Sequence, residues 1–392
     1  MGIHSTYYDL GNTESRNKSQ STVPQSPVSP AIEHDATFYN ARAIRKAQLG
    51  ELESAIADFD SALRIQPNEA LIYCNRGLAK FKSGQYESAI ADFDSALRIQ
   101  PNLAAAYHNR GDVKADLGKF DEAIADFDEA IKISPDDINA YNNRGNAKMA
   151  LERLEEAIKD FDAAINLQPD FVPAYNNRGL AKIKLGLLEE AIENFNAAIK
   201  IRPDFVPVYN NRGNAKAKLG KFEEAIEDYD VVLRMEPNLP EIYSNRGNVN
   251  VELNRLEEAM LDYDKAIQLD PSDAHAYNNR GNTKVTLGKF EDAIEDFNEA
   301  ILIQPDTASF YNNRGTARGQ LNQHDQAITD FDMAINIDPN RPSYYTNRGV
   351  AKVLLGRHED GKQDMLSALN LAKNDVKFQS KIEDLLKRLG SS

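Results

Sequence analysis

The 392-residue chain has almost no cysteine, no tryptophan and no long apolar run. Cys74 is the single cysteine, which excludes a disulfide framework and a metal site built from several thiolates. No apolar stretch approaches the ~20 residues that a transmembrane helix needs. The N-terminus also lacks the charged-then-apolar order of a signal peptide. We therefore expect no transmembrane segment and a reducing compartment, namely a cytoplasmic location.

Positive charge is scarce relative to negative charge. The chain has 46 Lys and Arg against 61 Asp and Glu, which gives a formal net charge of −15. Nucleic acids and anionic membrane surfaces attract proteins through clustered Lys and Arg. The composition therefore indicates no nucleic-acid partner.

A repeat of 34 residues runs through most of the chain. A tyrosine recurs at this spacing ten times, from Tyr39 and Tyr73 to Tyr345, and an arginine follows each tyrosine by three residues. Such a fixed period is the signature of a stacked-repeat fold. We number ten repeats and their positions 1–34 as follows: 36–69, 70–103, 104–137, 138–171, 172–205, 206–239, 240–273, 274–307, 308–341 and 342–375.

Each repeat is predicted to contain two helices. The first covers about positions 1–14 and typically ends at a Leu-Gly pair such as Leu219-Gly220. The second begins near an acidic pair, which suits a helix N-terminus, and its apolar residues follow the helical period. A proline at position 32 stops it, and the Asn, Asp or Ser at position 33 is expected to cap the next helix.

The repeat resembles the tetratricopeptide repeat (TPR) family. In repeat 4 the resemblance is carried by Tyr141, Gly145, Ala157, Phe161, Ala164 and Pro169. It covers 36–375 and departs from the family pattern at positions 7 and 11, where Arg and mostly Lys replace the usual Leu and aromatic residue. The resemblance implies an all-α fold, a right-handed α-solenoid superhelix of helical hairpins whose first helices line the concave side.

The two ends differ from the repeats. Residues 1–35 are polar, contain Ser-Pro twice and lack periodicity, so we expect a disordered tail. Residues 376–392 begin with a stretch whose apolar residues share one helical face, which predicts a C-terminal capping helix.

One stripe of the first helix is predicted to form structural ion pairs. The arginine at position 7 should face the second helix, where position 23 is Asp in nine repeats and Asn194 in repeat 5. A buried charge needs a partner, so we expect part-buried pairs, although an anion-binding arginine row is the functional alternative. The expected pairs are Arg76–Asp92, Arg110–Asp126, Arg144–Asp160, Arg212–Asp228, Arg246–Asp262, Arg280–Asp296 and Arg314–Asp330.

The opposite stripe carries asparagines at positions 5, 6 and 9. A carboxamide both donates and accepts, so a regular row of them could hold the backbone of an extended chain with little regard to its sequence. The alternative is that these amides bond neighbouring helices and only pack the array. The predicted peptide-binding residues are Asn75, Asn109, Asn142, Asn143, Asn146, Asn176, Asn177, Asn210, Asn211, Asn214, Asn245, Asn248, Asn278, Asn279, Asn282, Asn312, Asn313 and Asn347.

Two comparisons within the family refine this prediction. The row at position 6 is similar to the asparagine ladder of O-linked N-acetylglucosamine transferase repeats, which implies binding of an extended polypeptide. The clamp by which other TPR domains hold chaperone carboxylate tails needs Lys at positions 2 and 5 and Arg at position 6. No repeat here has these residues at those positions, so that clamp is not expected.

The chain shows no pattern that predicts catalysis, a metal site or a cofactor. The six histidines are scattered, the carboxylates recur with the repeat, and "GRHEDGKQ" (356–363) lacks the closing Ser or Thr of a phosphate-binding loop. We expect a non-enzymatic adaptor that binds a protein or peptide, whose identity the sequence does not give. The alternatives are a self-associating scaffold that docks globular partners through its outer and terminal surfaces, and a groove that receives the chain's own N-terminal tail.

Overall fold

The structure, a computed structural model, describes residues 35–372 and 375–390, and within them it contains helices and no strand. The first helix of each repeat begins at position 1, and the second begins at position 17. The first helices are α1 Ala36–Gln48, α3 Ala70–Lys82, α5 Ala104–Asp116, α7 Ile138–Ala150, α9 Val172–Lys184, α11 Val206–Lys218, α13 Pro240–Glu252, α15 Ala274–Thr286, α17 Ala308–Gln320 and α19 Pro342–Leu354.

The second helices are each 14 residues long, and a final helix follows them. They are α2 Leu52–Ile65, α4 Tyr86–Ile99, α6 Phe120–Ile133, α8 Leu154–Leu167, α10 Leu188–Ile201, α12 Phe222–Met235, α14 Leu256–Leu269, α16 Phe290–Ile303, α18 His324–Ile337 and α20 His358–Leu371, followed by α21 Val376–Gly390. The chain divides into two compact units, an N-terminal unit ending at Asp204 and a C-terminal unit beginning at Phe205. The prediction of an all-α solenoid of helical hairpins is confirmed.

Tight turns join the two helices of each repeat. Position 15 has a left-handed backbone in every repeat, with φ between 56° and 80°, and it is glycine in seven of them. Glycine adopts this conformation without steric cost, whereas Glu152, Asn254 and Asn322 must adopt it with a side chain. The position-15 residue therefore sets where each first helix stops.

The prediction that position 33 caps the next helix is wrong. The N-cap is the residue that directly precedes each first helix, one position later than expected. A carboxylate accepts backbone N–H groups there at Asp35, Asp137 and Asp273, whereas Glu69 makes no such bond. The turn after the proline is one residue longer than the sequence pattern suggested.

A glycine and an aromatic ring close the contact between the two helices of most hairpins. In repeat 4 a Cβ built on Gly145 would lie 2.6 Å from Cε1 of Phe161, which is too close for any real side chain. Ala157 and Ala164 are also fully buried. The ring occupies the space that the missing side chain leaves, so position 8 must stay glycine for the helices to pack this closely.

Helix α21 packs against α20 at the end of the described chain. Ile382 is fully buried, and Phe378, Leu385 and Leu386 join it in a cluster with Met365 and Ala368. This apolar face packs on the second helix of repeat 10.

Two glycines of α17 provide a direct test of this packing. Gly315→Ala should lower the free energy of unfolding by about 1–3 kcal/mol, because its Cβ would lie 2.8 Å from Cε1 of Phe331. Gly319→Ala in the same helix should raise it by about 0.5–1 kcal/mol, because nothing lies within 4 Å and alanine favours the helix. Urea denaturation of the two variants measures both effects, and equal effects would contradict the proposed contact.

Candidate interaction surface

The arginine at position 7 is held by the second helix of its own repeat. In repeat 4, Arg144 donates from Nη2 to Oδ1 of Asp160 at 2.6 Å and from Nε to Oδ2 at 3.0 Å. The Asp160 side chain is 5% exposed and the Arg144 side chain 16%. This is the two-pronged geometry in which a guanidinium and a carboxylate bind most strongly.

The same pair recurs in nine of the ten repeats. In repeat 5 Arg178 donates instead to Oδ1 of Asn194. The Nη2–Oδ1 distance is 2.5–2.6 Å in Arg42–Asp58, Arg76–Asp92, Arg110–Asp126, Arg212–Asp228, Arg246–Asp262, Arg280–Asp296, Arg314–Asp330 and Arg348–Asp364.

Eight of the arginines also reach back to the preceding repeat, a contact that the sequence analysis missed. Nη1 of Arg144 donates to Oδ1 of Asp128, at position 25 of repeat 3, at 2.5 Å. The recurrence of Asp at position 25 was the available signal. The equivalent contacts are Arg76–Asp60, Arg110–Asp94, Arg178–Asp162, Arg246–Asp230, Arg280–Asp264, Arg314–Asn298 and Arg348–Asp332.

Two further groups complete this polar cluster. The Arg144 guanidinium lies 5.4 Å from the ring centre of Tyr141, and Nζ of Lys148 lies 2.8 Å from Oδ2 of Asp160. Burial opposes the charged form of Arg144, but Asp160 and Asp128 outweigh it and raise its pKa. The arginine row is therefore neutralised inside the array, and it is not presented as an open anion-binding surface.

In seven repeats the asparagine at position 6 bonds the first helix of the preceding repeat. In five repeats its Nδ2 points to position 5 of that repeat, through the contacts Asn75–Asn40, Asn109–Cys74, Asn177–Asn142, Asn313–Asn278 and Asn347–Asn312. In Asn143–Asp112 and Asn279–Asn248 it points to position 9, because position 5 of the preceding repeat is His108 or Ser244. This is the packing role that we set beside ligand binding.

The predicted groove residues differ widely in exposure. Four amides are buried against neighbouring helices: Asn109, Asn142, Asn143 and Asn278. These four are not presented at an open surface. Asn248 and Asn282 are exposed, and the remaining members are half-buried: Asn75, Asn146, Asn176, Asn177, Asn210, Asn211, Asn214, Asn245, Asn279, Asn312, Asn313 and Asn347.

Position 9 carries the most accessible amides. In repeats 6 and 7 a tyrosine replaces the phenylalanine of position 24, and its hydroxyl donates to position 9. Tyr229 bonds Oδ1 of Asn214 and Tyr263 bonds Oδ1 of Asn248, each at 2.7 Å. Because the oxygen of Asn248 also accepts from Asn279, its exposed face presents N–H donors.

Repeat 3 replaces the amide ladder with a buried charged cluster. Nδ1 of His108 lies 2.9 Å from Oδ2 of Asp137, and its Nε2 lies 3.5 Å from Oδ2 of Asp112. Burial opposes the charged imidazole, but the two carboxylates outweigh it and raise the pKa of His108 to about 10. The sequence analysis counted His108 only among six scattered histidines, and missed this cluster.

Two family descriptions match the chain. The description "TPR repeat" matches residues 45–84, 111–151, 145–186, 181–220, 213–253 and 247–288, and "Tetratricopeptide repeat" matches 70–103, 274–307 and 308–341. The first alone covers more than half of the chain. The chain belongs to the tetratricopeptide repeat family.

Solved structures share the TPR fold. A tetratricopeptide repeat protein from Parabacteroides merdae is 20% identical, covers 64% of this chain and 98% of its own, and has a TM-score of 0.52. The Cut9–Hcn1 hetero-tetramer of the APC/C contains a chain that is 16% identical, with 90% of this chain and 76% of that chain covered and a TM-score of 0.51. At these identities the likeness shows the fold alone. Curated protein sequences gave no significant match.

No helix in the described ranges is long and apolar enough to cross a membrane.

The TPR hairpins should depend on the arginine cluster for stability. Arg144→Met should lower the free energy of unfolding by about 3 kcal/mol, because it leaves the Asp160 carboxylate buried beside Lys148 alone. Arg153→Met is the matched control, since its bond to Glu156 lies on the surface and its loss should leave the melting temperature unchanged. Denaturant titration would contradict this role if both variants matched the unchanged chain.

The His108 cluster predicts a specific pH dependence. Its folded-state pKa of about 10 lies above the ordinary value of 6.5, so its contribution is fully present below pH 6.5 and disappears as the pH rises through 10. His108→Asn, which restores the residue found at this position in other repeats, should remove that part of the pH dependence. Melting temperatures from pH 6 to 10.5 measure the difference between the two proteins, and parallel curves would refute it.

Proposed function

We propose that this TPR protein is a non-catalytic adaptor that binds an extended segment of a partner polypeptide along its first helices. The observation that carries the proposal is a set of accessible amides on these helices. Asn245 and Asn282 make no side-chain hydrogen bond within the described part of the chain, and Asn248 presents free N–H donors. These three asparagines lie in repeats 7 and 8, which are adjacent in the C-terminal unit.

The contacts between helices support the proposal that the first helices form the inner layer of each compact unit. Neighbouring first helices contact one another, as in α1 with α3 and α13 with α15. Within each unit the described second helices make no comparable contact with one another. The side on which neighbouring helices lie closer is the concave side of a solenoid, and concave surfaces are where repeat proteins bind extended ligands.

The chemistry of the amides supports a polypeptide as the ligand. Asn282 is able to donate and accept, while Asn248 donates only, because its oxygen already accepts from Tyr263 and Asn279. Backbone carbonyl and N–H groups match these donors and acceptors at regular spacing. Each such bond contributes about 0.5–1.5 kcal/mol, so binding depends on several repeats acting together.

The remaining groups support a binding role over a catalytic one. Most position-23 carboxylates are engaged with Arg and Lys, and His108 lies buried between Asp112 and Asp137. Burial raises the pKa of the Cys74 thiol to about 12, which keeps it protonated and unreactive. A cytoplasmic location remains part of the proposal, since the chain needs no oxidising environment.

Docking of globular partners through the second helices is the alternative function. Leu261, Leu302 and Met333 are exposed on α14, α16 and α18 of the C-terminal unit, where charged or polar residues stand in most other repeats. Apolar side chains on an outer surface favour protein contacts. The hypothesis that the N-terminal tail occupies the groove concerns residues outside the described ranges, and it stays a hypothesis.

Matched pairs of asparagines test the proposed surface. The double variant Asn245→Ala, Asn282→Ala should weaken partner capture about tenfold, because two amide bonds together contribute about 1–3 kcal/mol. The control, Asn336→Ala with Asn370→Ala, removes two exposed amides from second helices of the same unit and should leave capture unchanged.

Quantitative pull-down with the purified full chain provides the measurement, and melting temperatures confirm that both double variants remain folded. Undiminished capture by the first-helix variant would refute the groove. Loss of capture in Leu261→Gln with Leu302→Gln would then favour the outer surface.

A further inference from the structure

Repeat 7 differs from every other repeat at position 11. Nine repeats carry a cation there: Lys46, Lys80, Lys114, Lys148, Lys182, Lys216, Lys284, Arg318 and Lys352. Repeat 7 carries Asn250, a shorter and uncharged residue. Position 11 belongs to the polar cluster that holds each hairpin together. The effect of the asparagine therefore follows from a comparison with the repeats that carry a cation there.

The other repeats show what the cation does. In repeat 6, Nζ of Lys216 lies 3.0 Å from Oδ2 of Asp228 and 3.6 Å from Oε2 of Glu224. In repeat 3, Lys114 bridges Asp126 and Glu122 at 2.8 and 3.7 Å. The carboxylates of positions 19 and 23 thus form a binding place for an ammonium group, which the chain supplies to itself.

Repeat 7 keeps both carboxylates but not the ammonium. Glu258 and Asp262 stand at positions 19 and 23, and Asn250 donates from Nδ2 to Oδ2 of Asp262 at 3.0 Å. Asn250 is only 5% exposed, and its carbonyl oxygen accepts no hydrogen bond from the described residues. The site therefore contains an unused carbonyl acceptor beside two carboxylates.

A cavity opens where the lysine side chain would lie. It has a volume of about 420 Å³, and its polar lining consists of Asp230, Arg246, Asn250, Arg255, Glu258 and Asp262. Three carboxylates and two guanidinium groups leave one net negative charge on this lining. Arg246 is paired with Asp230 and Asp262, and Arg255 is paired with Glu223. These pairs reduce the repulsion that either arginine exerts on a further cation.

A cavity at the corresponding junction of repeats 2 and 3 sharpens the comparison. It is lined by Ala91, Asp94, Leu97, Arg98 and Arg110, and it does not reach position 11. There Lys80 and Lys114 are bound to the position-23 carboxylates of their own repeats. The repeat 7 cavity, in contrast, extends toward Asn250 and Glu258.

We propose that the repeat 7 cavity binds an alkylammonium group, either the side chain of a partner's lysine or a free primary amine. The ammonium donates to the Asn250 carbonyl and to the carboxylates of Glu258 and Asp262, in place of the lysine that other repeats carry. Leu261 and Ile226 line the same cavity and contact the methylene groups. This site is distinct from the amides of the first-helix surface and does not depend on them.

The test measures binding of n-butylammonium, the probe, to the full chain by saturation-transfer NMR. The unchanged protein should bind n-butylammonium with a Kd of about 1–10 mM, as expected for so small a ligand, and should not bind n-butanol. Asn250→Lys should abolish binding because it supplies the ammonium internally. Glu258→Gln, an exposed and folding-neutral change, should weaken binding about fivefold.

Two peptides identify the source of the ammonium. An unstructured, N-acetylated Gly/Ser peptide with one lysine that binds at least tenfold more tightly than n-butylammonium assigns the site to a partner's lysine, whereas equal affinity assigns it to a free amine. The same peptide with norleucine should not bind in either case. Absence of binding to the unchanged protein, equal binding of n-butanol, or undiminished binding to Asn250→Lys would each overturn the proposal.

Discussion

The structure depends on one interaction, a guanidinium held between carboxylates of successive hairpins. Arg144 bonds Asp160 of its own repeat and Asp128 of the preceding one. The first contact fixes the two helices of a hairpin relative to each other, and the second fixes that hairpin on its neighbour. A charge taken from water is costly unless every partner is present. A change in the spacing of 34 residues would separate these partners, so the cluster requires the spacing to be kept.

The amide ladder adds a second polar seam on the other side of the first helices. Asn177 donates to Asn142, and Asn176 donates to Asn177, so the amides of repeats 4 and 5 form a connected network. Such a network specifies register more than it adds stability, since each neutral hydrogen bond has a small net effect. The exposed amides at position 9 lie beside this network, and Asn248 is held in place by Tyr263 and Asn279.

Much of the fold could be predicted from the sequence, because the repeat spacing, the helical period and the helix-breaking residues all indicated the same helical hairpins. The chemistry of the inter-repeat contacts could not. Position 6 is asparagine in nine consecutive repeats, and recurrence alone does not distinguish an amide that faces a ligand from one that bonds the next helix. The second partner of most arginines was missed because it belongs to another repeat, and the His108 cluster because Asp137 is 29 residues away from His108 in the sequence.

The two carboxylates that hold Arg144 differ in their contact with water. The Asp160 side chain is 5% exposed, whereas that of Asp128, which links one hairpin to the next, is 54% exposed. Dissolved ions screen exposed charges far more than buried ones. Within each compact unit, rising ionic strength should therefore weaken the contacts between hairpins while leaving each hairpin rigid. The stiffness of each unit is thus set by the salt concentration of the surrounding solution.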